Sequence, residues 1–106
     1  MVRRRTPPSV AELQTVLRPF CQKHRIRRLE VFGSVARGLA TPGSDVDLLV
    51  TLDESRPVAD LLEMAGEAEE LVGAPVDFVL RGALAKSPNP FAREGILASA
   101  VPLYGS

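Results

Sequence analysis

Three aspartates carry the most specific chemical suggestion in this chain. Asp45 and Asp47 are separated by one residue at the head of an apolar run, Val46 to Thr51, that reads as a buried strand. Successive side chains of a strand point to opposite faces, so Asp45 and Asp47 share one face and Val46 takes the other. Asp77 lies in a second apolar run, Pro75 to Leu80, where a carboxylate faces a desolvation cost and is not expected by accident. If these two strands are neighbours in register, all three acids converge at one edge of a sheet. Two such charges about 4 Å apart repel by roughly 4 kcal/mol at an effective dielectric of about 20, so convergence implies raised carboxyl pKa values or a bound cation. A divalent metal is the simpler answer, and hard carboxylate oxygens suit Mg²⁺, which sits on one or two acids and completes its octahedron with water and substrate phosphate.

The complementary half of the site is read at Gly33 and Ser34. A strand from Arg28 to Phe32 stops there and opens a helical turn over Val35, Ala36 and Arg37, a junction that presents free amide donors to an anion. Gly33 allows close backbone approach, the Ser34 hydroxyl adds a donor, and Arg37, one turn later, supplies charge. A phosphate clamp beside a metal-binding carboxylate cluster is the equipment of phosphoryl or nucleotidyl transfer, in which catalysis consists of positioning and charge neutralisation.

The elements that must position these residues follow from periodicity and punctuation. Ser9 and Glu12 form a capping box ahead of Leu13, Val16, Leu17 and Phe20, one face of a helix that Pro19 is expected to kink or to divide into pieces near 10 to 17 and 19 to 24. Leu39 to Ser44 has the composition of a loop. Pro57 opens the clearest amphipathic helix, with Val58, Leu61, Leu62, Ala65, Ala68, Leu71 and Val72 at helical spacing and Gly73 to end it. Residues 81 to 88 read as a polar connection, Asn89 and Pro90 open a last helix to about Ser99, and Val101 to Tyr104 reads as a short edge strand. The strand, helix 57 to 72 and strand that carry the three acids form a crossover unit, so those strands are expected to be parallel neighbours. The fold class is α/β in the broad sense, an α+β arrangement with a mixed β-sheet flanked by helices.

Composition bounds the rest. The chain has 106 residues, 45% of them hydrophobic, enough for one core and none for a separate substrate domain, so any acceptor is met at the surface. Residues 1 to 8 read as a flexible basic arm and 9 to 106 as a single domain. The 13 basic and 13 acidic residues cancel, but residues 1 to 37 sum to +7, residues 38 to 80 to −9 and the remainder to +2. One part of the chain attracts anions and another cations. The single Cys21 excludes an internal disulfide and a Cys-rich metal site, and is expected to be a small buried apolar residue. No apolar run approaches a membrane span, and Pro7, Pro8, Ser9 and Glu12 stand where a signal peptide would need its apolar stretch, so a cytoplasmic protein is expected. Arg3 to Arg5 and Arg25 to Arg28 lack the interleaved aromatics of a nucleic-acid footprint and read as a basic arm or a partner-docking surface. His24 is expected at a solvated helix end without catalytic duty, and Tyr104 as an anchor for the last strand.

Val31, Phe32, Gly33, Ser34, Val35, Ala36, Arg37 and Gly38, followed after a loop by Ser44, Asp45, Val46, Asp47, Leu48, Leu49 and Val50, resemble the nucleotidyltransferases of the DNA polymerase β superfamily. The family pattern is Gly-Ser, ten residues, then Asp-x-Asp, and Val35 to Ser44 supplies the interval. With each fixed residue at about one in fifteen, chance gives that spacing in about one such chain in 500. The small size, Ala-Arg-Gly after Gly-Ser, the third acid in Val76-Asp77-Phe78 and the tail Ala100 to Tyr104 resemble the minimal nucleotidyltransferase branch. The resemblance implies a nucleotidyltransferase fold, ATP as donor and transfer of AMP to a hydroxyl with release of pyrophosphate. It implies that Asp45 and Asp47 hold two Mg²⁺ ions, that Asp77 shares one and helps to activate the acceptor, and that Gly33 and Ser34 grip the triphosphate. Many members of the branch are antitoxins of HEPN-type ribonuclease toxins, which they silence by adenylylating a toxin tyrosine, so a HEPN-type partner is the expectation here. Two other readings stay open: an antitoxin that neutralises its partner by contact alone, and nucleotidyl transfer to RNA ends or a small hydroxylated molecule.

Overall fold

The computed structural model describes residues 8–41, 44–52, 61–85 and 89–105. The Arg3 to Arg5 run, the Pro42–Gly43 part of the loop and the Pro57–Val58 helix start lie outside them. Within them the chain runs α1 (Val10–Lys23), β1 (Ile26–Phe32), α2 (Gly33–Ala36), β2 (Val46–Leu52), α3 (Leu61–Val72), β3 (Val76–Leu80), α4 (Arg81–Ala85), α5 (Pro90–Ser99) and β4 (Val101–Tyr104).

The capping box forms as read: Ser9 Oγ accepts from the Glu12 amide at 3.1 Å and the Ser9 amide donates to Glu12 Oε1 at 3.3 Å. Pro8, placed by the sequence at the end of the arm, is buried. Pro19 does not divide the helix. α1 continues through it, with Leu13, Leu17, Phe20 and Cys21 facing the core and Pro19 on the exposed side, where water can reach the Thr15 carbonyl that has lost its intrahelical donor. Cys21 is fully buried, and burial pushes its thiol up to about 12, so it behaves as a small apolar residue. His24, in contrast to the expectation, is largely covered. Its ring packs on Phe20 with centroids 4.7 Å apart and its Nε2 meets Glu67 of α3. Lys23 and His24 both bond Glu67, which holds that carboxyl below its usual range and ties α1 to α3.

Arg25, next in line, holds φ +54, a left-handed conformation after a helix C-terminus that glycine usually occupies. Replacing it by glycine relieves a strain of about 1 kcal/mol, partly offset by the freer unfolded chain, so Arg25→Gly is expected to raise the melting temperature by a few degrees. A thermal melt that falls instead would show that the guanidinium makes a contact worth more than the strain.

The sheet is mixed, in the order β3-β2-β1-β4, with β2 and β3 parallel and β1 antiparallel to both β2 and β4. This is the parallel pair expected of the crossover unit. One face packs Leu29, Val31, Leu48 and Val50 against Leu13, Leu17 and Phe20 of α1 and Met64, Ala68 and Val72 of α3. Of the stripe expected on α3, Ala68 and Val72 are buried, together with Met64, which the spacing did not include, whereas Leu62 and Leu71 are 88% and 44% exposed. Apolar residues on α3 exceed one face, and contact with α1 selects the row at 64, 68 and 72. The other sheet face carries a small second cluster, Phe32 and Leu49 with Val79, Ile96 and Ala100.

Two boundaries differ from the sequence reading. β1 begins at Ile26, which is buried opposite Leu52 and is followed by an irregularity before Arg28 that hides the alternation. Residues 81–85, read as connection, form the short helix α4. Ala83, Leu84 and Ala85 are good helix formers, and Arg81 is anchored across the sheet to Glu30. Tyr104 pairs with Leu29 and packs on the core, as an anchor for β4. Among the described residues no helix is long and apolar enough to cross a membrane.

Candidate active site

β2 and β3 run parallel from the same end of the sheet, where the Val46 amide donates to the Pro75 carbonyl at 2.8 Å and zips the two heads together. That register places Asp47 level with Asp77, and β1 brings Phe32, the residue before Gly33, opposite Asp47 from the other side. The row Phe32, Asp47, Asp77 therefore crosses three strands on one face, and Asp45 lies two residues before Asp47.

The electrostatics match the geometry. Asp45 and Asp77 are exposed and Asp47 is half-buried. Partial burial, and then the neighbouring charges of Asp77 and Asp45, push the Asp47 carboxyl above its usual range. All three acids thus contribute to one local field. This donor set fits Mg²⁺, which asks for one or two carboxylates and leaves its other positions to water and phosphate. Among the described residues no three His, Cys, Asp or Glu side chains already stand as a coordination shell.

Gly33 stands directly behind Asp47. It holds φ +74, and a Cβ there would fall inside the contact distance of Asp47 Oδ2. Glycine is needed twice over, for the backbone conformation and for the space. α2 starts at this residue and is a single turn, closed by Arg37 N–H to Gly33 C=O at 3.2 Å and Leu39 N–H to Ser34 C=O at 2.8 Å. Its leading amides have no intrahelical acceptor. Gly33 is therefore brought against Asp47 and Ser34 follows it in the same turn, while Arg37 is exposed at the far end. The loop between the halves is clasped: the Thr41 amide donates to Ser44 Oγ and the Ser44 amide to the Thr41 carbonyl, both at 3.0 Å, immediately before Asp45. Reading the segment as loop composition missed that clasp, although Thr and Ser three apart are the usual residues for such turns.

The sequence reading also passed over Glu30. It is 4% exposed, on the acid-bearing face two residues before Phe32, and Arg81 donates to its Oε1 at 2.6 Å. A lone acid between Leu29 and Val31 in an apolar strand was the available signal.

A model of the nucleotidyltransferase domain matches residues 13–102. Among curated proteins, MJ0435 of Methanocaldococcus jannaschii, assigned as a protein adenylyltransferase, is 31% identical over 93 residues, which span 88% of this chain and 96% of that relative. A solved structure assigned as a minimal nucleotidyltransferase is 36% identical, with a TM-score of 0.64 and coverage of 90% of this chain and 96% of that one. A chain from the structure of the tri-AMPylated Shewanella oneidensis HEPN toxin in complex with MNT antitoxin gives a TM-score of 0.64 over 92% of this chain and 73% of that one. At 14% identity, that likeness shows the shared fold. The chain belongs to the nucleotidyltransferase domain family. It is an enzyme of the minimal nucleotidyltransferase type.

Proposed function

We propose that this protein transfers AMP from ATP to a tyrosine hydroxyl of a partner HEPN-type ribonuclease toxin in the cytoplasm, and is that toxin's antitoxin. The observation that carries the reading is the row in which Asp47 faces Asp77 in register while Gly33 backs onto Asp47. The assignment of the Methanocaldococcus relative as a protein adenylyltransferase supports a protein acceptor. The Shewanella complex of an AMPylated HEPN toxin with its MNT antitoxin supports a HEPN-type partner.

Residues 9–106 act as one catalytic domain. Asp45 and Asp47 would hold two Mg²⁺ ions and Asp77 would share one; bound there, Mg²⁺ neutralises triphosphate charge and polarises the phosphorus that is attacked. Ser34 Oγ and the leading amides of α2 grip the triphosphate, and Gly33 lets it approach the backbone. Arg37 adds positive charge at the phosphate tail. The Asp77 carboxylate receives the proton of the acceptor hydroxyl. The tyrosine oxygen bonds to the α-phosphorus, the bond from that phosphorus to the β-phosphate oxygen breaks, and pyrophosphate leaves with the electron pair. With exposed Asp77 at the head of an edge strand, the acceptor is presented from outside, as suits a protein substrate.

Intact-mass analysis of both chains after incubation with ATP, Mg²⁺ and the cognate toxin tests this directly. Whole AMP units on the toxin, lost when the modified tyrosine is replaced by phenylalanine, are the expected result. Unmodified toxin that is nevertheless neutralised would replace catalysis with inhibition by contact, and label on RNA ends would move the acceptor to nucleic acid.

A further inference from the structure

On the sheet face that carries the acids, side chains fall into rows. Phe32, Asp47 and Asp77 make the first; Glu30, Leu49 and Val79 make the second, about 7 Å behind it. Glu30 is the one charged residue that is buried among the described residues. Its Oε1 accepts from Arg81 Nη1 at 2.6 Å and faces Arg28 Nε at 3.3 Å. Arg81 directly follows β3, on the same alternation as Asp77 and Val79, and its guanidinium crosses over β2 to reach β1.

β3 is the strand that needs such a tie. It lies at the edge of the described sheet, pairs with β2 alone, and has no fully buried residue. Its head carries Asp77, which Asp47 repels. That head is held by the Val46–Pro75 bond and by the Val76 amide donating to Glu69 Oε2 at 3.0 Å. Its tail is held by the Arg81–Glu30 pair. A slip of one residue would turn Asp77 to the opposite face.

We propose that Glu30 and Arg81 form a cross-sheet strut whose role is to position Asp77: it locks β3 in the register that keeps Asp77 level with Asp47. The proposal rests on the functional reading of Asp77 given above. Neither residue touches the acids, so both are positioning residues. The pair is half-buried, with Glu30 covered and the Arg81 side chain 36% exposed, so it is a weak source of net stability, whereas fixing a register is the use best attested for buried polar groups.

The test uses the whole protein as wild type, Arg81→Gln, Arg81→Lys and the double variant Glu30→Gln, Arg81→Gln. Three quantities are measured: amide hydrogen exchange in residues 76–80, Mn²⁺ binding by electron paramagnetic resonance with a non-hydrolysable ATP analogue, and AMP transfer. Arg81→Gln is expected to speed exchange in β3 well beyond that in β2, and to weaken Mn²⁺ binding and lower kcat by about tenfold each. The neutral amide pair of the double variant is expected to recover part of all three, and Arg81→Lys to fall between. The strut is overturned if folded Arg81→Gln keeps wild-type β3 exchange and Mn²⁺ binding, or if exchange rises equally in every strand. Should Arg81→Gln not fold, Arg81→Lys decides by the same criteria. Wild-type protein that binds no Mn²⁺ or transfers no AMP overturns the functional reading instead, and β3 exchange then decides the strut by itself.

Discussion

Replacing Asp45 and Asp47 together by asparagine removes AMP transfer by at least about a thousandfold, and leaves the fold intact or firmer in metal-free buffer. The loss follows from the several kcal/mol of charge stabilisation that a metal clamp supplies, at about 1.4 kcal/mol per tenfold. The gain in stability follows from Asp47, whose carboxyl is pushed up by burial and by Asp77 and Asp45. A carboxyl raised in the folded state is penalised there whenever it is ionised. Its cost is therefore present above the folded pKa and disappears as pH falls toward the ordinary aspartate range. Thermal melts in a chelator should show the variant above the wild type at pH 7, with the difference shrinking toward pH 4. A variant that melts well below the wild type at neutral pH without metal would refute a dedicated metal site, and retained transfer would refute the mechanism.

Gly33→Ala has the second-largest expected effect. At φ +74 an alanine is strained by about 1–2 kcal/mol, and its Cβ would meet Asp47 Oδ2. Asp47 must then move, and displacement of a positioned group by about 1 Å costs on the order of a hundredfold in rate. The melting temperature should fall by about 5–10 °C. The two causes separate in an Asp47→Ala background. There the remaining contact is the Asp47 Cβ position, 3.7 Å from the added methyl, so only the backbone strain should persist in the melt. Wild-type stability and rate in Gly33→Ala would mean that the glycine does not stand against Asp47.

Much of this site is local and could be read residue by residue. Gly33-Ser34 and Asp45-Val46-Asp47 lie on either side of one short loop, and the alternation of a strand already puts the two acids on one face. The capping box at Ser9 and Glu12 and the helix stop at Gly73 are equally local, each a few residues satisfying their own backbone. His24 misled because its neighbours Lys23 and Arg25 suggest solvent, whereas its cover comes from Phe20 below and Glu67 on another helix. The inward face of α3 was legible at Ala68 and Val72 but not at Met64, Leu62 and Leu71, because several apolar residues compete and packing against α1 and the sheet decides between them.

What the amino-acid sequence by itself determined is the chemistry on offer: a carboxylate pair, a third acid, a glycine-serine junction, and strands of the right period to carry them. Their meeting was decided by tertiary structure. The level placement of Asp47 and Asp77 depends on the pairing of strands separated by a whole helix, and the fit of Gly33 against Asp47 depends on β1 lying antiparallel on the other side of β2. The Arg81–Glu30 tie joins residues 51 apart across an intervening strand. Side-chain period and turn chemistry act over a few residues and are written in the order of the chain. Register between distant strands is set by which packing buries the most apolar surface while leaving the fewest charges unpaired, a property of the whole fold.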